Sequence, residues 1–129
     1  MKFLLDTHIW IWSLLEPAKL KPKMIEVLQN SQNELFISSI SIWETLILAE
    51  KQRIKLDNPS AQEWVQEALR KSQVQEVPLS NAIALKSRLI VLPHQDPADR
   101  FIAATAWEHD MTLITVDEHL SKSTQIKVL

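Results

Sequence analysis

Five carboxylates raise the chemical question in this sequence. Asp6 closes the apolar run "KFLL", Glu44 sits inside "ISIWETLIL", Asp96 and Asp99 stand three apart in "HQDPADR", and Asp117 follows "TLITV". Carboxylates that share one place repel one another, and they tolerate it only with raised pKa values or with bound cations. Oxygen-only ligands favour Mg²⁺ or Mn²⁺ over zinc or copper. One or two such ions suit phosphodiester hydrolysis. The metal activates water and offsets charge on the phosphate, and a pair ~3.5–4 Å apart can clamp both attacking and leaving oxygens. Glu44 carries the most information. Flanked by Trp43, Leu46, Ile47 and Leu48, its charge is costly unless a cation or hydrogen-bond donors offset the desolvation.

Each acid also has a purely structural reading. Asp6 can cap the helix that follows it, and Asp117 can cap a turn before "EHL". Asp96 at the N-cap, Pro97 at the first helical position and Asp99 at the third form a capping arrangement. The local argument separates this pair. Asp99 lies one turn in, at the positive end of the helix, where it can face Asp6 across the strand ends. Asp99 is therefore read as the ligand, and Asp96 as the cap and a possible contact of a metal-bound water. The histidines, His8, His94, His109 and His119, lack the H-E-x-x-H spacing of a zinc site. His8 reads as a hydrogen-bonded first-turn residue or a substrate contact. Thr115 can orient a carboxylate or simply favour a strand. The tryptophans at 10, 12, 43, 64 and 107 read as core or interface.

To bring those acids together, the chain must build a frame. The apolar run at 2–5 and the short stretches at 34–38, 74–77, 112–116 and 126–129 read as strands. Helical patterns fill 8–15, 21–31, 39–51, 60–71, 80–89 and 96–109, with Ser39 or Ser41 as N-cap of the third and Ser80 of the fifth. The fourth places Ala61, Trp64, Val65, Ala68 and Leu69 on one face. Strands separated by helices imply β-α-β crossovers and a mainly parallel sheet covered on both faces. Sites in such sheets form at the carboxyl ends of the strands, where Asp6 and Asp117 fall.

Composition narrows the alternatives. The chain has 129 residues, 46% of them hydrophobic, and reads as one domain spanning 1–129. It has no cysteine and no glycine. Thiolate metal sites, disulfides, Gly-rich phosphate loops and the G-x-S-x-G elbow are all excluded. Positive φ must fall to residues such as Asn30, Asn33, Asn58 or Asp110. The net charge of −2 argues against a passive nucleic-acid coat. No uninterrupted apolar run reaches the ~18 residues of a membrane span. An acid inside the first apolar stretch argues against a signal peptide, so a cytoplasmic location is expected.

The segments "LLDTHIWIW", "ISSISIWE", "LPHQDPADRFIAATA" and "LITVDEHL" resemble, in order and spacing, the signature segments of PIN-domain ribonucleases. The likeness is to the VapC toxins of type II toxin–antitoxin pairs in particular, and it covers essentially the whole chain. The resemblance implies an α/β fold, a three-layer α/β/α sandwich with a central, mainly parallel sheet. It implies a Mg²⁺- or Mn²⁺-dependent endoribonuclease with Asp6, Glu44, Asp99 and Asp117 as the metal-binding acids. It also implies a homodimer, and a cognate antitoxin whose C-terminal segment covers the site. Arg100 matches a basic residue of the "DPxDR" subset; it is the foremost candidate for RNA contact, with a structural ion pair to a site acid as the equal alternative. Lys51, Arg53, Lys55, Lys86 and Arg88 are further candidates to meet phosphates, and two bound divalent cations would reverse the sign of the charge balance. One rival is a phosphoryl-transfer protein, but a phosphatase of that type needs a second Asp where His8 stands. A receiver needs a late basic residue opposite the acids, and Lys122 and Lys127 fit poorly. The other rival is a non-catalytic PIN-like binding protein.

Overall fold

The computed structural model describes residues 1–56, 60–93 and 95–129. Asn58 and His94, both singled out above, lie outside the described residues. Five strands, β1 (Lys2–Leu5), β2 (Glu34–Ser38), β3 (Val74–Val77), β4 (Thr112–Ile114) and β5 (Lys127–Val128), form one sheet in the order β3-β2-β1-β4-β5. Every pairing is parallel. Between the strands run α1 (Thr7–Leu15), α2 (Pro22–Gln29), α3 (Ser39–Glu50), α4 (Ala61–Lys71), α5 (Asn81–Leu89), α6 (Pro97–His109) and the short α7 (Glu118–Ser121).

Alternation along the strands sorts the core into two halves. Phe3 and Leu5 of β1 join Leu35 and Ile37 of β2 and Ile114 of β4 on one face, under α1, α2 and α4. Leu4, Phe36 and Leu113 point the other way, into a second cluster with Ile83, Ile102, Ala103 and Leu120. The register agrees, since Leu4 stands beside Phe36 and Leu113, and Leu5 beside Ile37 and Ile114. A period of two on a sheet covered on both sides produces this split. It makes the three-layer α/β/α arrangement expected from the sequence.

Most element limits agree with the sequence reading, and the differences have local causes. β4 stops at Ile114 rather than 116. There the Asp6 N–H donates to the Ile114 carbonyl at 3.0 Å, and the Asp117 N–H then turns onto the Thr115 hydroxyl at 3.0 Å, ending the ladder. The cap of α3 is Ser38, not Ser39 or Ser41, with its hydroxyl accepting from the Ile40 N–H at 3.1 Å. Positive φ occurs at Asp110 (φ 51) and, unforeseen, at Gln52 (φ 58), but not at Asn30 or Asn33. Both residues end a helix in the same way. The N–H after each reaches back five residues, Arg53 to the Leu48 carbonyl at 2.9 Å and Met111 to the Ala106 carbonyl at 3.0 Å. Glycine is the usual occupant of that left-handed position. Among the described residues, no helix is long and apolar enough to cross a membrane.

Candidate active site

The strand order fixes where a site can form. From β1 the chain builds outward through β2 to β3, then returns across β1 to lay down β4 and β5. The crevice between the carboxyl ends of β1 and β4 is therefore the switch point of the sheet, where ligands bind in open α/β folds. Asp6 leaves β1 there, and Thr115 and Asp117 leave β4.

Asp6 is 8% exposed and both its oxygens are held. Oδ1 accepts from the Thr7 N–H at 2.8 Å and Oδ2 from the Thr115 hydroxyl at 2.6 Å. Burial raises its pKa above the ordinary carboxylate range, against the pull of those two donors and of His8, while Asp117 raises it further. A carboxylate oxygen has two lone pairs, so accepting one bond leaves each oxygen able to bind a cation.

Glu44 reaches the same place from α3. The Thr7 hydroxyl approaches both Glu44 Oε1 and the Ser41 hydroxyl. A hydroxyl carries one proton, and the charged carboxylate is the stronger acceptor. Thr7 therefore donates to Glu44 and accepts from Ser41. Burial is the main cause of the raised pKa of Glu44, with Asp6 and Asp96 adding to it and Thr7 and His8 opposing.

Asp99 is the hub of the cluster. Its pKa is pushed up to about 8, first by burial and then by Asp6, Asp96, Asp117 and Glu44 in turn. The five acids singled out from the sequence are thus close enough to act on one another, and Asp99 is acted on by all four others. Three of them are also helix caps. Asp6 caps α1, Asp96 caps α6 by accepting from the Asp99 N–H at 3.2 Å, and Asp117 caps α7 by accepting from the His119 N–H at 2.8 Å. The capping reading of these three acids holds, and capping leaves their remaining lone pairs open. The positive ends of α1 and α6 face the carboxylates and offset part of their repulsion.

The donor set is oxygen throughout, which suits Mg²⁺ or Mn²⁺. Among the described residues, no three aspartates, glutamates or histidines stand close enough together as they are to hold one ion between them. His8 is exposed on α1, near enough to act on Asp6 and Glu44, and its ring lies 5.8 Å from that of Trp12. Thr115 joins the two strand ends, donating to Asp6 and accepting from Asp117.

Arg100 requires a correction. It is 5% exposed and does not face solvent. Its Nε donates to the Ser87 carbonyl at 2.8 Å and its Nη2 to the Ile90 carbonyl at 2.7 Å. It neutralises the carboxyl end of α5 and ties it to the start of α6, a structural task. Lys86 is likewise engaged, 3.2 Å from Glu108 and over the Trp107 ring.

Thr7 and Ser41 were not foreseen as site residues. The available signals were a threonine directly after Asp6 and the three-residue spacing of Ser41 and Glu44, which puts both on one face of α3.

Known proteins resemble this chain in sequence and in fold. The sequence profile of the PIN domain family matches residues 3–124. Ribonuclease VapC22 of Mycobacterium tuberculosis is 35% identical over 120 residues, covering 91% of this chain and 88% of that protein. Among solved structures, VapBC2 from Rickettsia felis, bound to a DNA fragment from its promoter, superposes with a TM-score of 0.74 at 16% identity, covering 100% of this chain and 98% of that one. FitAcB from Neisseria gonorrhoeae gives a TM-score of 0.65 at 21% identity, covering 98% and 96%. At those identities the structural likeness is one of fold.

Proposed function

The chain belongs to the PIN domain family, and on that premise we propose that it is a metal-dependent endoribonuclease, the toxin of a toxin–antitoxin pair. The supporting observation is the carboxylate cluster at the β1/β4 switch point, with Asp99 under the influence of all four other acids. Asp6 and Asp99 are the primary metal ligands in this reading, and Glu44 and Asp117 complete the set. When bound there, Mg²⁺ or Mn²⁺ supplies an activated water and neutralises charge on the scissile phosphate. The protein's own part is positioning. Thr115 and the Thr7 N–H hold Asp6, the Thr7 hydroxyl holds Glu44 and is itself held by Ser41, and the start of α6 presents Asp99. The same reading assigns an RNA substrate, a cognate antitoxin covering the acids, a homodimer and a cytoplasmic place of action.

The test is RNA cleavage with purified protein. Wild type cleaves in Mg²⁺ or Mn²⁺ and stops in EDTA. Asp6→Asn keeps the cap of α1, because Asn caps as well as Asp, yet loses metal-dependent cleavage. Undiminished cleavage by the folded variant, or by wild type in EDTA, overturns the assignment. Absence of any Mg²⁺ or Mn²⁺ uptake in a calorimetric titration favours the non-catalytic binding protein instead.

A milder change probes the supports. Thr115→Val keeps the side chain's shape but removes the donor to Asp6 and the acceptor for Asp117. Groups that orient metal ligands contribute roughly 10–100-fold to metal affinity or activity. The Mg²⁺ concentration for half-maximal cleavage is expected to rise about tenfold, and the pH optimum to move upward as Asp6 becomes harder to ionise. An unchanged metal requirement contradicts the positioning role of Thr115.

A further inference from the structure

The reversal at Gln52 turns the chain after α3 back toward α1, and it builds a second feature beside the acids. A groove of ≈ 570 Å³ is lined by His8, Trp12, Glu16, Lys19, Arg53 and Lys55, among others. It begins at His8 in the first turn of α1, next to Thr7, whose N–H and hydroxyl bond Asp6 and Glu44. The groove has an aromatic floor and a cationic wall. The Trp12 ring is half-buried, with the Lys19 ammonium 5.5 Å from its centre. Lys19 is balanced by Glu16 at 2.9 Å. Arg53 and Lys55 are exposed, and among the described residues neither enters an ion pair.

We propose that this groove carries the single-stranded RNA flank leading to the scissile bond, with Arg53 and Lys55 on phosphates and Trp12 beneath the bases. The inference rests on the endoribonuclease reading and adds the route by which substrate arrives. Charge complementarity selects the occupant. A polyanion approaching five carboxylates is repelled unless cations line its path, and this groove supplies two unbalanced ones at the entrance. A basic peptide meets the same two charges as like charges. An aromatic floor with a cationic wall is the usual means of holding a single strand without reading its sequence. The two residues lie on the turn after α3, far along the chain from Asp6 and Asp99. The substrate route and the metal ligands can therefore be altered separately.

The experiment uses a fluorescein-labelled single-stranded RNA that the wild-type protein cleaves. KM is measured in Mg²⁺ across a KCl series for wild type, for Arg53→Gln/Lys55→Gln, and for Lys23→Gln/Lys127→Gln. The last variant removes the same charge from exposed positions outside the groove. The groove variant is expected to raise KM roughly tenfold and to lower the magnitude of the log KM–log salt slope by about 1.4, the loss of two phosphate contacts on a single strand. The control variant stays within about twofold of wild type. Trp12→Leu raises KM with little change in salt slope, because a stacking surface carries no charge. Cleavage by wild type with the same KM and slope in the groove variant overturns this proposal alone. So does unaltered RNA handling combined with lost binding of an acidic peptide, which makes the groove a peptide site. If wild type neither cleaves nor binds RNA under any condition, the endoribonuclease reading falls, and the groove proposal falls with it.

Discussion

Asp99→Asn is expected to cleave RNA at least about 10³-fold more slowly than wild type, and yet to melt about 3–5 °C higher in metal-free buffer at a pH of about 8. The activity loss follows from removing the carboxylate at the centre of the cluster. The stability gain follows from linkage. In the unfolded chain Asp99 titrates near 3.9, whereas in the folded protein its pKa is about 8. Between those values the folded state holds a proton that the unfolded state releases, so stability falls as pH rises through the interval. Below about pH 4 both states are protonated and the variant melts with wild type. Above about 8 the whole penalty is present, and asparagine, which cannot ionise, escapes it. Asp99 is only partly buried, so solvent screens the interaction and the gain is set well below the full shift. Asp6 and Glu44, raised for the same reason, steepen the wild-type curve. Mg²⁺ is expected to restore the wild-type melting temperature and to leave the variant's unmoved. A variant that is both inactive and less stable in EDTA means that Asp99 is held by structure rather than reserved for a cation. Asp96→Asn, which keeps a capping side chain, is expected to retain most activity. Equal losses from both substitutions show that the division of roles within the pair is wrong.

Arg100→Ala is expected to lower stability by about 2–4 kcal/mol, a fall of about 6–15 °C in melting temperature. Its guanidinium serves the carbonyls of Ser87 and Ile90 inside the protein, and truncation leaves both without their charged donor. Arg100→Lys recovers less than half of the loss, because an ammonium cannot reproduce the planar fork that reaches two acceptors at once. Differential scanning calorimetry of the three proteins decides the matter. An Arg100→Ala protein that melts with wild type but binds RNA poorly restores the surface role expected from the sequence.

The contrast between Arg100 and the acids shows what a sequence can reveal. Strand β1 was legible because a strand buried on both faces is written as an apolar run, whereas β2 and β3 were legible from short β-branched or aromatic stretches between helical patterns. Asp6 and Asp117 were legible because polar residues directly after such runs fall at the strands' carboxyl ends, and Glu44 because it interrupts an apolar helix. Where Arg100 points was not legible. A long side chain at the start of α6 can reach solvent or reach α5, and the choice depends on how the two helices pack. Thr7 and Ser41 escaped notice for a related reason. Thr7 bonds Ser41 and Glu44, 34 and 37 residues away, and only the folded crossover brings α1 to α3. The end of β4 was misjudged because "TLITV" is fit for a strand throughout, and hydrogen bonds to Asp6 and Asp117 halt it early. The two roles open to Asp6, Asp96 and Asp117 explain why the capping and chemical readings could not be separated from local spacing.

The glycine-free helix ends have a consequence for the denatured protein. Gln52 and Asp110 hold a left-handed backbone that costs an L-residue roughly 1–2 kcal/mol. Each ordinary glycine, by contrast, widens the unfolded ensemble and weakens the native state by about 0.4–1 kcal/mol relative to alanine. With no glycine in 129 residues, this chain has fewer disordered conformations to escape into. The stiffness of the unfolded chain offsets the strain at two helix ends and the self-repulsion of its acids.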